Sequence, residues 1–436
     1  MKKKVLFICQ YFGTFNTIGA IRPTKFAKYL SLSEDYEVTV VCCKPRSKEF
    51  DKTRLQDLNH IHKIYEVSQV SIYLLLKEIL KHIFKNHEEK FPKQQEDKNN
   101  NTGDFNSSLL RKGADWINSK SEEVIKKRML KKVFGLNDCY NVVFSTYTPL
   151  ISHECAYIYK KKHQSTIWLA DFRDPMYKQI FTFCGKKMNS IEIEKEIGIV
   201  ADRMIGVTSS CFNVSHDNMS IINNGFDLDD LKSVRKDFFK DNKFHLSYTG
   251  RLYPGRKADL LFKALKELIE DKKIDEDMIQ VDYAGTTFFR LYEQAKRYDM
   301  EKILVNHGVV SHLESLSMQH SSQMPIMLTW NEKNKRDVIS GKIYEYMFSR
   351  KPILSIVSGV FTGSKTKEQI TEYNLGFCLE EANTEDFFKM KKFILSFYND
   401  FLINGDTCIT PNTKVSECLY ENKVKYIERI IEELQC

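Results

Sequence analysis

Tyr248-Thr249-Gly250-Arg251-Leu252-Tyr253-Pro254-Gly255-Arg256-Lys257-Ala258-Asp259-Leu260-Leu261-Phe262-Lys263-Ala264-Leu265 runs from the end of a β-prone segment, through a loop of glycines and cations, into a segment with helical spacing of apolar residues. A strand, a tight loop and a helix in that order form the repeating unit of doubly wound α/β folds, whose ligands bind at the C-terminal ends of the strands. The loop chemistry suits phosphate. Gly250 and Gly255 allow close backbone approach, the helix start offers free N–H groups, and Arg251 with Arg256 or Lys257 supplies fixed positive charge for two phosphates. Charge-assisted bonds of this kind are about twice as strong as neutral ones. A single arginine in such a loop would more often be a solvated surface group; two at a strand's C-terminal end favour binding.

Outward from this stretch the same alternation continues in both directions. Before it come strand-like Val5–Cys9, a helical segment Thr24–Leu32 and strand-like Glu37–Cys43, which make one βαβ unit. Strand-like Val142–Thr146, Thr166–Ala170 and Met204–Thr208 follow, separated by helical Leu150–Lys162 and Ile191–Val200. After it come strands near Ile279–Tyr283, Ile303–Val305, Pro325–Thr329 and Pro352–Ile356, interleaved with helices Phe288–Tyr298, Leu313–His320 and Lys342–Phe348. Ser311 and Glu314 have capping-box spacing. An Asn224-Gly225 turn with the acidic patch to Asp230 marks a break. The expected organisation is an amino-terminal domain over 1–222 with an insertion over 60–135, a second domain over 223–410, and a helix within 411–436 that packs back on the body. This predicts an α/β protein with two Rossmann-like, doubly wound domains facing each other across a cleft.

A chain of 436 residues is long enough for two cores, and 42% hydrophobic with 28% charged residues is the balance of a globular protein. The net charge of +8 favours anionic partners. It does not single out nucleic acid, whose aromatic and basic signatures are missing. The 11 cysteines lack the paired spacing of a zinc site or disulfide framework and read as reduced, with a cytoplasmic location. Met1 to Cys9 mimics the start of a signal peptide, but the apolar run ends at Gln10 without a cleavage site and reads as a strand. No apolar run approaches the roughly 20 residues of a membrane span. Residues 60–135 break the alternation. Their polar run Gln94–Asn101 reads as a mobile loop, flanked by an apolar stripe (Ile72, Leu75, Leu76, Ile79, Leu80, Ile83) and a second face (Ile125, Met129, Val133) beside Lys126, Lys127, Arg128, Lys131 and Lys132. Either both faces join the core, or the segment docks on an anionic membrane, on the inner face of the cell membrane.

Gly341-Lys342-Ile343-Tyr344-Glu345-Tyr346 followed by Pro352-Ile353-Leu354, with Asp337 upstream, resembles the retaining nucleotide-sugar glycosyltransferases of the GT-B fold, family 4-like, in their bacterial surface-polysaccharide branch. Ala20-Ile21-Arg22-Pro23-Thr24, Thr148 to His153, and Trp168-Leu169-Ala170-Asp171-Phe172-Arg173-Asp174-Pro175 resemble the opening helix and two later segments of the same branch. The resemblance spans most of residues 1–380. It implies transfer of a sugar from a UDP- or GDP-linked donor, with retention at the anomeric carbon, to a glycan or lipid-linked acceptor, with no cofactor and no metal. On the donor side it implies Gly250, Arg251, Arg256, Lys257, Gly308, Gly341 and Lys342, with Glu345 on the ribose hydroxyls and Asp337 where the family has a glutamate. On the acceptor side it implies Gly13, Gly19, Arg22, His153, Asp171, Arg173 and Asp174. Read without the resemblance, Glu345 is a helix-surface carboxylate, His153 a satisfied core histidine, and Asp171, Arg173 and Asp174 an ion-pair cluster at a strand end. Two other functions fit the same residues: a sugar-nucleotide epimerase of the same fold, and a catalytically silent partner that binds the nucleotide or lipid.

Overall fold

The computed structural model describes residues 2–73, 75, 102–136, 138–176, 179–332 and 341–435, with backbone alone for 102–115. Asp337, the polar run Gln94–Asn101, and Leu76, Ile79, Leu80 and Ile83 lie outside the described residues. The chain divides into two compact units, one of Met1–Ile205, Val214–Ser220 and Leu434–Cys436, the other of Gly206–Asn213 and Ile221–Glu433. The main break therefore falls between Ser220 and Ile221, against 222/223 expected from the Asn-Gly turn. The C-terminal helix counts with the second unit.

The first unit contains strands β1 (Lys3–Cys9), β2 (Tyr36–Cys43), β3 (Lys63–Val67), β4 (Val142–Tyr147), β5 (Ile167–Phe172), β6 (Ile180–Phe183), β7 (Lys186–Asn189), β8 (Arg203–Gly206) and β9 (Met219–Ile221). Seven of them form a sheet in the order β3-β2-β1-β4-β5-β8-β9, and β6 with β7 makes a separate antiparallel hairpin. β1 pairs in parallel with β2 on one side and β4 on the other, Val5 facing Val38 and Val142. A strand covered on both faces must be apolar at nearly every position, and Val5 to Cys9 are all fully buried. Helices α1 (Ile18–Leu32), α2 (Thr102–Phe134), α3 (Ile151–Lys162) and α4 (Ser190–Val200) complete the unit. α1 begins six residues before the expected Thr24. Pro23 lies inside it, and the Thr24 hydroxyl bridges by accepting from Gly13 N–H (2.7 Å) and donating to the Ala20 carbonyl (2.6 Å).

The second unit contains β10 (Phe244–Thr249), α5 (Asp259–Glu270), β11 (Ile279–Ala284), α6 (Phe288–Lys296), β12 (Leu304–Gly308), α7 (His312–Ser321), β13 (Met324–Trp330), α8 (Lys342–Met347), β14 (Ile353–Ser358), α9 (Lys365–Glu372), β15 (Gly376–Glu380), α10 (Thr384–Asn404) and α11 (Tyr420–Glu433). All six strands run parallel in the order β12-β11-β10-β13-β14-β15. α5 buries Leu261, Phe262, Ala264, Leu265 and Leu268, one face at helical spacing, into the core with Phe244, Leu246 and Ile356. Each such leucine contributes about 1.5–3 kcal/mol relative to exposure. Ser311 caps α7 with the expected reciprocal bond to Glu314. In each unit the strand order reverses beside the first strand, at β1/β4 and at β10/β13, which is where doubly wound sheets open a crevice for ligands.

The basic segment of the insertion is the C-terminal part of α2. Ile125, Met129 and Val133 are buried. Lys126 donates to the buried Glu154 (2.9 Å), Arg128 to the carbonyls of Ser68 and Val70, and Lys132 lies over the Tyr65 ring. Only Lys127 and Lys131 of the five cations are exposed, and the apolar face of this part of the helix packs into the core. Among the described residues no helix is long and apolar enough to cross a membrane.

Candidate functional site

In the second unit, the β10/β13 switch point brings together the loop after β10 and the start of α8. Gly250 directly follows β10 with φ of 105°, a conformation that side-chain-bearing residues rarely adopt. Its N–H donates to the Ala284 carbonyl (2.6 Å), and a Cβ at this position would lie 2.7 Å from the Lys342 ammonium. Lys342 does not reach outward as a free cation. Its ammonium donates to the carbonyl and, at 3.2 Å, to the hydroxyl of Thr249. Burial lowers its pKa to about 8, with Glu345 opposing and Arg256 reinforcing the shift.

Arg256 is the half-buried cation of the loop. Its guanidinium lies 5.0 Å from the Tyr253 ring centroid and 5.3 Å from that of Trp330, within cation–π range of both. Nη1 donates to the Tyr248 hydroxyl (3.2 Å) and the Arg251 carbonyl (3.3 Å), while the buried Nε–H has no partner among the described residues. Arg251 and Lys257 are exposed. Gly255 is also exposed, with only the Trp330 ring within 4 Å of an added Cβ. Gly308 ends β12 with φ of 69° and open space around it, so backbone conformation rather than crowding requires glycine there. Gly341 has ordinary helical angles and no such requirement.

Glu345 projects from the first turn of α8 and accepts from the Gln319 amide (2.9 Å). The same amide nitrogen lies 2.9 Å from Thr249 Oγ1, so the end of β10 and the expected ribose ligand meet through Gln319. Neither Gln319 nor Trp330 was among the sequence candidates. A glutamine in a helix buried nearly all round is a polar group at a core position, which is the one signal that could have drawn notice.

In the first unit the candidates divide by burial. Arg22 and Asp171 form a fully buried ion pair (Nη2–Oδ1 2.8 Å, Nε–Oδ1 3.0 Å), and the Thr146 hydroxyl donates to Asp171 Oδ2 (3.0 Å). The Arg22 guanidinium also lies 4.5 Å from the Phe26 ring centroid. Arg173 is half-buried and donates to the carbonyls of Tyr147 (3.1 Å) and Thr148 (2.5 Å). Its Nη1 would lie 2.7 Å from a Cβ at Gly19, so that glycine makes room for the guanidinium. Asp174 is exposed and accepts from the Thr148 hydroxyl (3.1 Å). Gly13 has φ of 60° and packs against Leu58.

His153 is fully buried against Phe172 and Tyr147, with Nδ1 2.8 Å from Ser145 Oγ, which itself accepts from Trp168 Nε1 (2.8 Å). Burial, reinforced by the Arg173 charge, lowers its pKa from the usual 6.5 to about 3. As pH falls below about 6.5 the unfolded chain takes up a proton that folded His153 refuses, so stability falls by up to about 1.4 kcal/mol per pH unit until about pH 3. His320, lowered by burial to about 4, acts in the same direction. Urea midpoints measured at pH 7 and pH 5 should drop less for His153→Asn than for the wild type. Equal drops would exclude His153 as a source of acid sensitivity.

No protein-family model matches the sequence, and none of the curated proteins matches it. Solved structures do share the fold. The lipopolysaccharide outer core galactosyltransferase WaaB in its apo form is 12% identical, with 99% of each chain covered and a TM-score of 0.50. Anabaena HepE, in complex with UDP and glucose, is 11% identical over 99% of this chain and 97% of its own, with a TM-score of 0.51. A putative UDP-N-acetylglucosamine 2-epimerase from Listeria monocytogenes is 14% identical over 99% of this chain and 96% of its own, with a TM-score of 0.50. The chain has the GT-B fold, with two Rossmann-like α/β domains.

Proposed function

We propose that this chain transfers a sugar, with retention at the anomeric carbon, from a UDP- or GDP-linked donor to a hydroxyl of a glycan or lipid-linked acceptor. The observation that carries the reading is the Arg256 guanidinium, within cation–π range of two aromatic rings at the β10/β13 switch point and with its buried Nε–H unpartnered among the described residues. A loop with Gly250 at positive φ and a planar cation behind it suits a diphosphate, which takes charge as the bond from the anomeric carbon to its oxygen breaks. Arg256, with Arg251 at the exposed side of the loop, neutralises that charge as it develops. Glu345, a carboxylate that only accepts hydrogen bonds, takes the ribose hydroxyls. The likeness to a galactosyltransferase and to a protein binding UDP and glucose supports a nucleotide-sugar substrate.

The test is thermal-shift titration with UDP, GDP and their sugar conjugates, since a ligand that binds only the folded state raises the melting temperature. Glu345→Gln should weaken binding of the stabilising nucleotide by about 1.5–3 kcal/mol in calorimetry, with folding little changed. Unaltered affinity would return Glu345 to a surface role. The likeness to a Listeria epimerase keeps that second activity in view. It would show as an epimerised or free sugar without a new glycosidic bond when donor and acceptor are supplied together.

A further inference from the structure

We infer that Gln319 is a positioning residue that orients the Glu345 carboxylate and ties it to the end of β10; this rests on the donor-binding reading of Glu345. Gln319 is wholly buried on α7. Its amide nitrogen faces Glu345 Oε2 at 2.9 Å, Thr249 Oγ1 at 2.9 Å and Ser315 Oγ at 3.2 Å. An amide nitrogen has two hydrogens, and the two shorter contacts take them. Thr249 Oγ1 also receives the Lys342 ammonium at 3.2 Å. The chain Lys342–Thr249–Gln319–Glu345 thus leaves α8, crosses the end of β10 and α7, and returns to α8 three residues further on.

The orientation of the amide is dictated by charge. Turned over, it would place Oε1 against the Glu345 carboxylate, acceptor against acceptor. In the observed orientation Oε1 is buried with no partner among the described residues. A buried acceptor left without a bond is unfavourable. The bonds on the nitrogen side therefore prevail in fixing this side chain, and the group they fix it against is Glu345.

Two substitutions test this, with UDP and GDP as probes and calorimetric affinity relative to wild type at the same pH as the readout. Gln319→Met fills similar volume without a donor and should weaken nucleotide binding roughly tenfold or more at every pH, with an unchanged melting temperature. Gln319→Glu sets a second carboxyl beside Glu345. Two carboxylates at that distance share a proton, and the protonated one supplies one of the amide's two donations, the one between residues 319 and 345, leaving Thr249 Oγ1 with the Lys342 ammonium. Relative affinity should be near that of the wild type at about pH 5.5 and fall roughly tenfold by about pH 7.5, a change that a space-filling role would not produce. If Gln319→Met fails to fold, Gln319→Glu decides the matter, because its two states are compared in one protein. Variants that bind nucleotide as the wild type does at both pH values overturn the positioning role alone. A wild type that binds neither UDP nor GDP overturns the donor-site reading itself, and this inference with it.

Discussion

Arg256→Ala should lower turnover by about 100- to 1,000-fold, the usual loss when one preset donor to developing negative charge is removed. The expectation comes from its surroundings. The guanidinium lies within cation–π range of Tyr253 and Trp330, is held in place by the Tyr248 hydroxyl and the Arg251 carbonyl, and has a buried Nε–H with no partner among the described residues. A donor fixed before the reaction needs no reorganisation as charge develops, whereas Arg251, exposed beside Tyr253, must be ordered by the ligand. Arg251→Ala should therefore cost less. Arg256→Lys keeps the charge but loses the planar fork of donors, and should fall between the two. Steady-state kinetics on variants whose melting temperatures match the wild type checks the order. Near-normal turnover in folded Arg256→Ala would remove Arg256 from the diphosphate site.

Asp171→Ala should destabilise the first unit by about 3–5 kcal/mol, the range for removing one partner of a buried ion pair. Arg22 would then keep a buried charge beside Phe26 with its principal counter-ion gone, and the Thr146 hydroxyl would lose its acceptor. Replacing both partners by apolar residues, Arg22→Met with Asp171→Leu, should recover much of the loss, because no uncompensated charge remains. Urea unfolding of the three variants measures the coupling. The outcome also separates two roles for this pair, scaffold or acceptor contact. If Asp171→Ala unfolds at the wild-type urea concentration yet loses transfer, the pair acts on the substrate and not as scaffold.

How far the site could be anticipated differs from residue to residue. Gly250, Arg256 and Glu345 were legible because each belongs to a local pattern: a strand end, a cation after a glycine loop, a carboxylate in the first turn of a helix. The direction of Lys342 was not. Its neighbour Glu345 and its position beside Gly341 suggest a ligand contact, but the ammonium turns to the Thr249 carbonyl, 93 residues away in sequence. The partners of Gln319 are hidden for the same reason, since both main ones are supplied by other elements of the sheet and its flank. The periodic run Thr24–Leu32 marks only the later part of α1, which starts at Ile18 and carries Pro23 after five helical residues.

The alternation of short apolar runs with amphipathic segments, and with it the parallel sheets, is written in the chain, since strands buried on both faces must be apolar at successive positions while the helices that cover them are apolar on one face only. So is the glycine-loop chemistry after β10, which depends on residues adjacent in the chain. The strand orders with their switch points, the burial of Arg22 against Asp171 across 149 residues, and the Lys342–Thr249–Gln319–Glu345 chain arise on folding. Those features are pairings between distant segments. Their energies come from removing charge and hydrogen-bonding groups from water together, and a local pattern holds no record of which groups are removed with which.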